Sequence, residues 1–292
     1  MFLNMAWNAV FDVLLEFQEL EDWYEGIEKT EIDEYWKAAK KNLSIAHALA
    51  QQGAEMALKS KIASISPYLL INSPSSGWPK LSDKHDTAFA DFRTVDSQDL
   101  VRICNTVLTN RLSEQFVSSF EGFRKQRNAL FHTVDKRLGF PEKKIVSYIL
   151  LIADLMRPKQ WPLLRASYLE ETPISKTTGP DYVMNRVCLE MEQMIKLVDR
   201  KLLQDLFGFN KKQRRYICPH CYWSLNRDSD PPYPRTAQLT PNNSQSSNLY
   251  CFVCGKNISV VRKKCTVEDC NGNVINAEKN GKNECLTCFE YY

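Results

Sequence analysis

Residues 31–64, EIDEYWKAAKKNLSIAHALAQQGAEMALKSKIAS, decide the fold class. Tyr35, Ala39, Leu43, Ala46, Leu49, Ala50, Met56 and Ala57 recur at i, i+3, i+4 spacing, the mark of one long amphipathic helix. Working outward, the same texture fills most of the chain. Glycine is scarce before residue 120, where only Gly26, Gly53 and Gly77 occur. Residues 5–27 predict a first helix. SPYLLINSPSSGWP interrupts the pattern, and residues 66–95 read as a polar loop. Helical pattern resumes at SQDLVRICNTVLT, with Asp96 or Ser97 as its cap, and continues through SEQFVSSFEGFRKQRNALFHTVDKRL until Gly139 and Pro141 stop it. KKIVSYILLIADLMR is too short to span a bilayer and predicts a buried helix. Residues 158–181 are a proline-rich connection with one short helix. A strong amphipathic helix over 183–207 closes the region.

After Gly208 the texture changes: cysteine, asparagine and proline become common and helical periodicity disappears. This predicts a helical domain over residues 1–208, its core about 30–155, and a second domain over 209–292. Charge divides similarly. From Lys211 onward there are 12 Lys/Arg against 7 Asp/Glu, or +5, while the rest carries 26 against 28, or −2. A mildly basic tail suits nucleic acid only weakly. The first 34 residues hold ten Asp/Glu and one Lys, an acidic face that serves as solvated surface, partner surface or cover. No apolar run approaches the length of a membrane span, and the apolar start, with Asn4, Asn8 and Asp12 and no basic lead, does not read as a secretion signal. The expectation is a cytoplasmic protein, where thiols stay reduced.

Eight of the ten cysteines fall in the last 75 residues, as Cys218-x2-Cys221, Cys251-x2-Cys254, Cys265-x4-Cys270 and Cys285-x2-Cys288. Two thiolates in one tight turn face one tetrahedral Zn²⁺, and two such turns complete its shell. The eight therefore predict two structural zinc ions. The simplest pairing joins the first two pairs and the last two; a cross-braced pairing is the alternative. The tail then binds nucleic acid, binds protein or braces the fold. KKQRR (211–215), RKK (262–264) and the nearby Tyr222, Trp223, Tyr250 and Phe252 lean toward nucleic acid, although such aromatics also fill small cores. Cys104 and Cys188 sit in helical pattern as small apolar residues.

FRKQRNALFHT (123–133) places Arg127, Asn128 and His132 within two helical turns. An Arg-x4-His spacing is cheap by chance, and a solvated helix edge is the bland reading. The chemistry is more specific. RNA carries its own nucleophile, the 2′-hydroxyl. Metal-free cleavage needs a proton-transfer group, which histidine supplies, and a fixed cation for phosphorane charge, which arginine supplies. Arg127 and His132 differ by about 140° on an ideal helix, so they flank a groove, and two copies facing each other close a site better than one.

With Arg127-Asn128-x3-His132, the alanine-rich 39–63 helix and the Asp-Leu-led DLVRICNTV (99–107), residues 30–155 resemble the HEPN superfamily. The resemblance implies an up-down helical bundle and a metal-independent endoribonuclease of toxin or anti-phage defence type. Its site is built at a homodimer interface and leaves 2′,3′-cyclic phosphate and 5′-hydroxyl ends. Arg127 would bind and stabilise the scissile phosphate, Asn128 would position Arg127 or the substrate, and His132 would transfer protons or orient the phosphate. The implied partners are RNA, transfer RNA included, and an inhibitor or antitoxin. The tyrosine that one toxin subgroup carries just after the histidine is replaced here by Thr133, Val134 and Asp135. Some members of that superfamily keep the fold without cleaving, so a non-catalytic binding or interaction module is the alternative. His47, on the alanine-rich helix, reads as a packing residue, and His85 sits in the polar loop.

Overall fold

The computed structural model describes residues 1–24, 26–74, 89, 92–132, 139–224, 234–276 and 284–290. Among them the chain is mainly helical, with a small strand region near its C-terminal end. The helices are α1 (Phe2–Trp23), α2 (Lys29–Ala63), α3 (Ser97–Val107), α4 (Glu114–His132), α5 (Glu142–Met156), α6 (Trp161–Glu170), α7 (Pro173–Thr178), α8 (Pro180–Leu197), α9 (Arg200–Phe207) and α10 (Pro219–Trp223). The strands are β1 (Ala237–Leu239), β2 (Asn248–Cys251), β3 (Asn257–Val261), β4 (Ile275–Asn276) and β5 (Glu284–Cys285). No described helix is long and apolar enough to cross a membrane. The chain divides into two compact units, Met1–Val10 with Lys29–Ile152, and Phe11–Glu28 with Ala153–Tyr292.

The first unit is organised on α2. Its buried stripe runs Ala39, Leu43, Ala46, Ala50, Ala54, Ala57, Leu58 and Ile62, and the small side chains let α3 and α4 pack closely. Met56 falls off this stripe and is 47% exposed, because the 3.6-residue period carries the inner face through Ala54 and Ala57 instead. Gly53 is fitted to α1: a Cβ there would lie 2.5 Å from Leu3 Cδ2. The break between α3 and α4 is held by the Leu112 amide, which donates to Asn105 Oδ1 at 2.8 Å. Asp96 occupies the cap position of α3 without a side-chain cap bond, and Ser97 lies inside the helix. The 66–95 segment contains a short 3-10 turn at Pro67–Leu70 and an isolated bridge between Ile71 and Thr94. His85 lies outside the described residues. On α4, Phe116, Phe120 and Phe123 are buried at i, i+4, i+7, and the Phe123 ring lies 4.1 Å from that of Tyr148 on α5.

In the second unit the helix expected over 183–207 is two helices. Val198 is extended (φ −78°, ψ 148°) and Asp199 takes the N-cap position of α9, so the chain turns where periodicity alone runs straight through. The 158–181 connection carries two short helices, α6 and α7, each with proline in its first turn. The fully buried Arg165 on α6 makes a two-pronged pair with the buried Glu190 on α8, at 2.8 and 2.9 Å. Arg186 answers the same carboxylate and reaches Asp12.

The five strands form one antiparallel sheet in the order β1-β2-β3-β4-β5. β3 is shared: Asn257–Ser259 pair with β2, and Val260–Val261 pair with β4. Gly208, in the left-handed region at φ 68°, ends α9, yet packing runs across that point. Phe207 and Phe209 both meet Phe252, with ring centroids 5.4 and 5.0 Å away, and Asn210 exchanges hydrogen bonds with Gln238. The second unit accordingly joins residues 153–208 to the cysteine tail, together with Phe11–Glu28.

Candidate functional sites on helix α4 and in the cysteine tail

Arg127 does not sit on a solvated edge. It lies four residues beyond Phe123 and extends the stripe that buries Phe116, Phe120 and Phe123. Its side chain is 29% exposed, and Nη2 donates to Glu55 Oε1 at 2.6 Å. Glu55, on α2, is itself only 12% exposed. Gln51 Nε2 donates to the same oxygen at 3.3 Å, and the Tyr148 hydroxyl donates to Gln51 Oε1 at 3.0 Å. Burial, then the negative charges of Glu55 and Glu121, push the Tyr148 phenol well up, so it stays protonated and serves as a donor. Three helices thus fix one guanidinium through a half-buried carboxylate. The Glu55 bond engages one of five arginine N–H donors.

Asn128 is half-buried and His132, the last residue of α4, is exposed. Phe131 beside it is 66% exposed. Arg124 pairs with Glu121 on its own helix at 2.7 Å, so its charge is largely answered, whereas Lys125 is exposed. Lys136 and Arg137 lie outside the described residues. His47 is buried in the aromatic core. It stacks on Phe123 at 4.2 Å with Nε2 donating to the Phe123 carbonyl at 3.2 Å, and burial holds its pKa down to about 4 although that bond works the other way. Glu55, Gln51 and Tyr148 were absent from the sequence reading. The usable signal was Gln51, a polar residue interrupting an alanine stripe, with Glu55 one turn beyond it.

In the tail, Cys218, Cys221, Cys251 and Cys254 form one group and Cys265, Cys270, Cys285 and Cys288 another, each with sulfurs within 4.8 Å of one another. Consecutive pairs have come together; the arrangement is not cross-braced. Within each group, sulfur distances between the two pairs are 3.7 Å for Cys218–Cys254 and Cys221–Cys251, and 3.9 Å for Cys265–Cys288 and Cys270–Cys285. A disulfide would need about 2.05 Å. Four thiolates about 2.3 Å from one tetrahedral ion stand about 3.8 Å apart, so both groups fit a metal ion such as zinc.

Local backbone builds these groups. Cys218 precedes α10, whose Pro219 starts the turn that carries Cys221. In the turns after β2 and β5 one hydrogen-bond pattern occurs twice. Gly255 N–H donates to Cys251 O and Phe289 N–H to Cys285 O; Cys251 N–H donates to Lys256 O and Cys285 N–H to Glu290 O. Gly255 and Phe289, both four residues after the first cysteine, share the left-handed region at φ 69° and 64°. Gly272 is required by close approach: a Cβ there would lie 2.6 Å from Cys285 Sγ.

In comparisons with family models, curated proteins and solved structures, nothing matches this chain. The functional reading therefore rests on the chemistry of these two sites.

Proposed function

We propose that the chain is a metal-independent endoribonuclease of the HEPN type, acting in a toxin or host-defence setting, with zinc bracing its tail. The observation that supports this best is the placement of Arg127: a cation on a core-facing stripe, held by Glu55, five residues from an exposed histidine at the helix end. A fixed, partly desolvated guanidinium suits the charge that develops on a phosphorane, and an exposed imidazole suits proton transfer to or from water-borne substrate. Arg127 would hold the scissile phosphate and Asn128 would orient it. His132 would take the 2′-hydroxyl proton or return one to the leaving 5′-oxygen. The 2′-oxygen bonds to phosphorus as the phosphorus–5′-oxygen bond breaks, which leaves a cyclic phosphate. With Arg127 and His132 splayed around one helix, a second copy of the chain would complete the site, and an inhibitor would restrain it in a cytoplasmic setting.

The test is cleavage of total RNA and transfer RNA by purified protein during brief chelation, wild type against His132→Ala, with folding checked after the assay. Cleavage by wild type alone, with 2′,3′-cyclic phosphate ends, is the expected result. Equal cleavage by both proteins, or none by wild type on any RNA tried, would return α4 to an ordinary helix and leave a non-catalytic binding module.

A further inference from the structure

The cysteine tail brings two arginines and an aromatic group together around a single turn of the second metal group. Arg214 Nη2 lies 3.4 Å from Thr287 Oγ1, and Arg235 Nη2 lies 3.4 Å from Thr287 O. The two come from segments before α10 and before β1, so only folding makes them neighbours. Both are exposed, and among the described residues neither is paired with a carboxylate. Like charges converging without a counter-charge repel each other, and an incoming anion relieves that repulsion. Two residues further on, the Phe289 ring supports Tyr222 with centroids 3.8 Å apart, and Trp223 stands edge-on to Tyr222 at 5.3 Å. Phe289 is buried, Tyr222 is half-buried and Trp223 is 36% exposed, so the group has a floor and an exposed indole.

We propose that this face, Arg214 and Arg235 with Tyr222 and Trp223 around Thr287, binds single-stranded nucleic acid, the arginines taking backbone phosphates and Trp223 stacking on a base. Stacking requires an unpaired base with a free face, which favours a single strand over a duplex. An acidic peptide would satisfy the arginines but leave the aromatic group without a role. Two other aromatics beside the cysteines take no part: Phe252 is buried against Phe207 and Phe209, and Tyr250 is half-buried on β2. The proposal extends the ribonuclease reading to a second contact with the same substrate class, but it is measured by binding alone.

The experiment uses the full metal-loaded chain and a fluorescent oligodeoxythymidine of about 12 nucleotides, a length within the footprint of small single-strand binders. DNA lacks the 2′-hydroxyl and cannot be cut by the proposed reaction. Trp223→Ala should weaken binding about tenfold and Trp223→Phe much less. Arg214→Gln with Arg235→Gln should reduce the slope of log affinity against log salt by about 1.4. Metal content is measured on every variant, and if the Trp223 variants lose metal the arginine variants decide alone. Unchanged affinity and salt slope would overturn the proposal. So would equally tight binding of a duplex, or preference for polyglutamate. A chain that fails to cleave RNA yet binds through these residues would overturn the nuclease reading and leave this face standing.

Discussion

Arg127 and Glu55 form the contact on which the α4 site turns, and each can be tested singly. Arg127→Ala and His132→Ala should each lower single-turnover RNA cleavage at least about a hundredfold, as loss of a charge-stabilising or proton-transfer group does. His132 is exposed, so its replacement should leave thermal stability within about 0.5 kcal/mol of wild type. Glu55→Gln keeps an acceptor near the guanidinium but removes its charge. Cleavage should fall about tenfold while unfolding stability drops by about 1 kcal/mol, the discounted value of a half-buried ion pair. Unchanged cleavage in Glu55→Gln would show that Arg127 needs no carboxylate to hold it. His47 makes a separate prediction about pH. Its folded pKa of about 4 lies below the ordinary 6.5, so the unfolded chain binds the extra proton first. Stability is therefore complete above pH 6.5 and is lost as pH falls toward 4, by at most about 3 kcal/mol. Thermal melts across that window should show this slope in wild type and a shallower one in His47→Gln.

At the scale of elements, α4 does two jobs with one periodicity. Its inner stripe packs as phenylalanine for two turns, then becomes Arg127 and finally the exposed Phe131. A helix edge and an inward stripe look alike in sequence when a stripe position holds arginine, because the period is the same and only the partner differs. The cysteine turns rest instead on backbone conformation and very close approach. Gly272→Ala would set a methyl 2.6 Å from Cys285 Sγ and 2.9 Å from Thr287 Cβ. The expected outcome is selective: bound metal should fall from about two ions per chain toward one, with the Cys218 group intact. Retention of two ions, measured by elemental analysis, would mean the second group can shift to accept a Cβ.

For the whole molecule, the tail should depend on metal while the long-helix unit does not. Stripping the thiolates with an organomercurial, followed by chelation, should release about two ions per chain. Protease resistance of residues 209–292 should be lost, while most of the helical circular dichroism remains. A tail that stays resistant after both ions leave would show that the sheet folds on its hydrophobic core alone. Much of this architecture was legible in the chain itself. The long helices follow from a 3.6-residue apolar period, and the paired cysteines announce tetrahedral thiolate sites, since both signals are local in sequence. The break at Val198–Asp199 escaped because an amphipathic period can persist through a capped turn. The packing of Phe207 and Phe209 on Phe252 leaves no mark in the chain because texture records local conformation, whereas these rings meet only after folding. The sequence by itself determined the helices, the cysteine groups and the presence of Arg127 and His132 on one helix. Only the tertiary structure decided that Arg127 faces Glu55 rather than water, and that Arg214, Arg235 and Trp223 surround one turn, because contacts between distant segments depend on how the elements pack and leave no periodic trace along the chain.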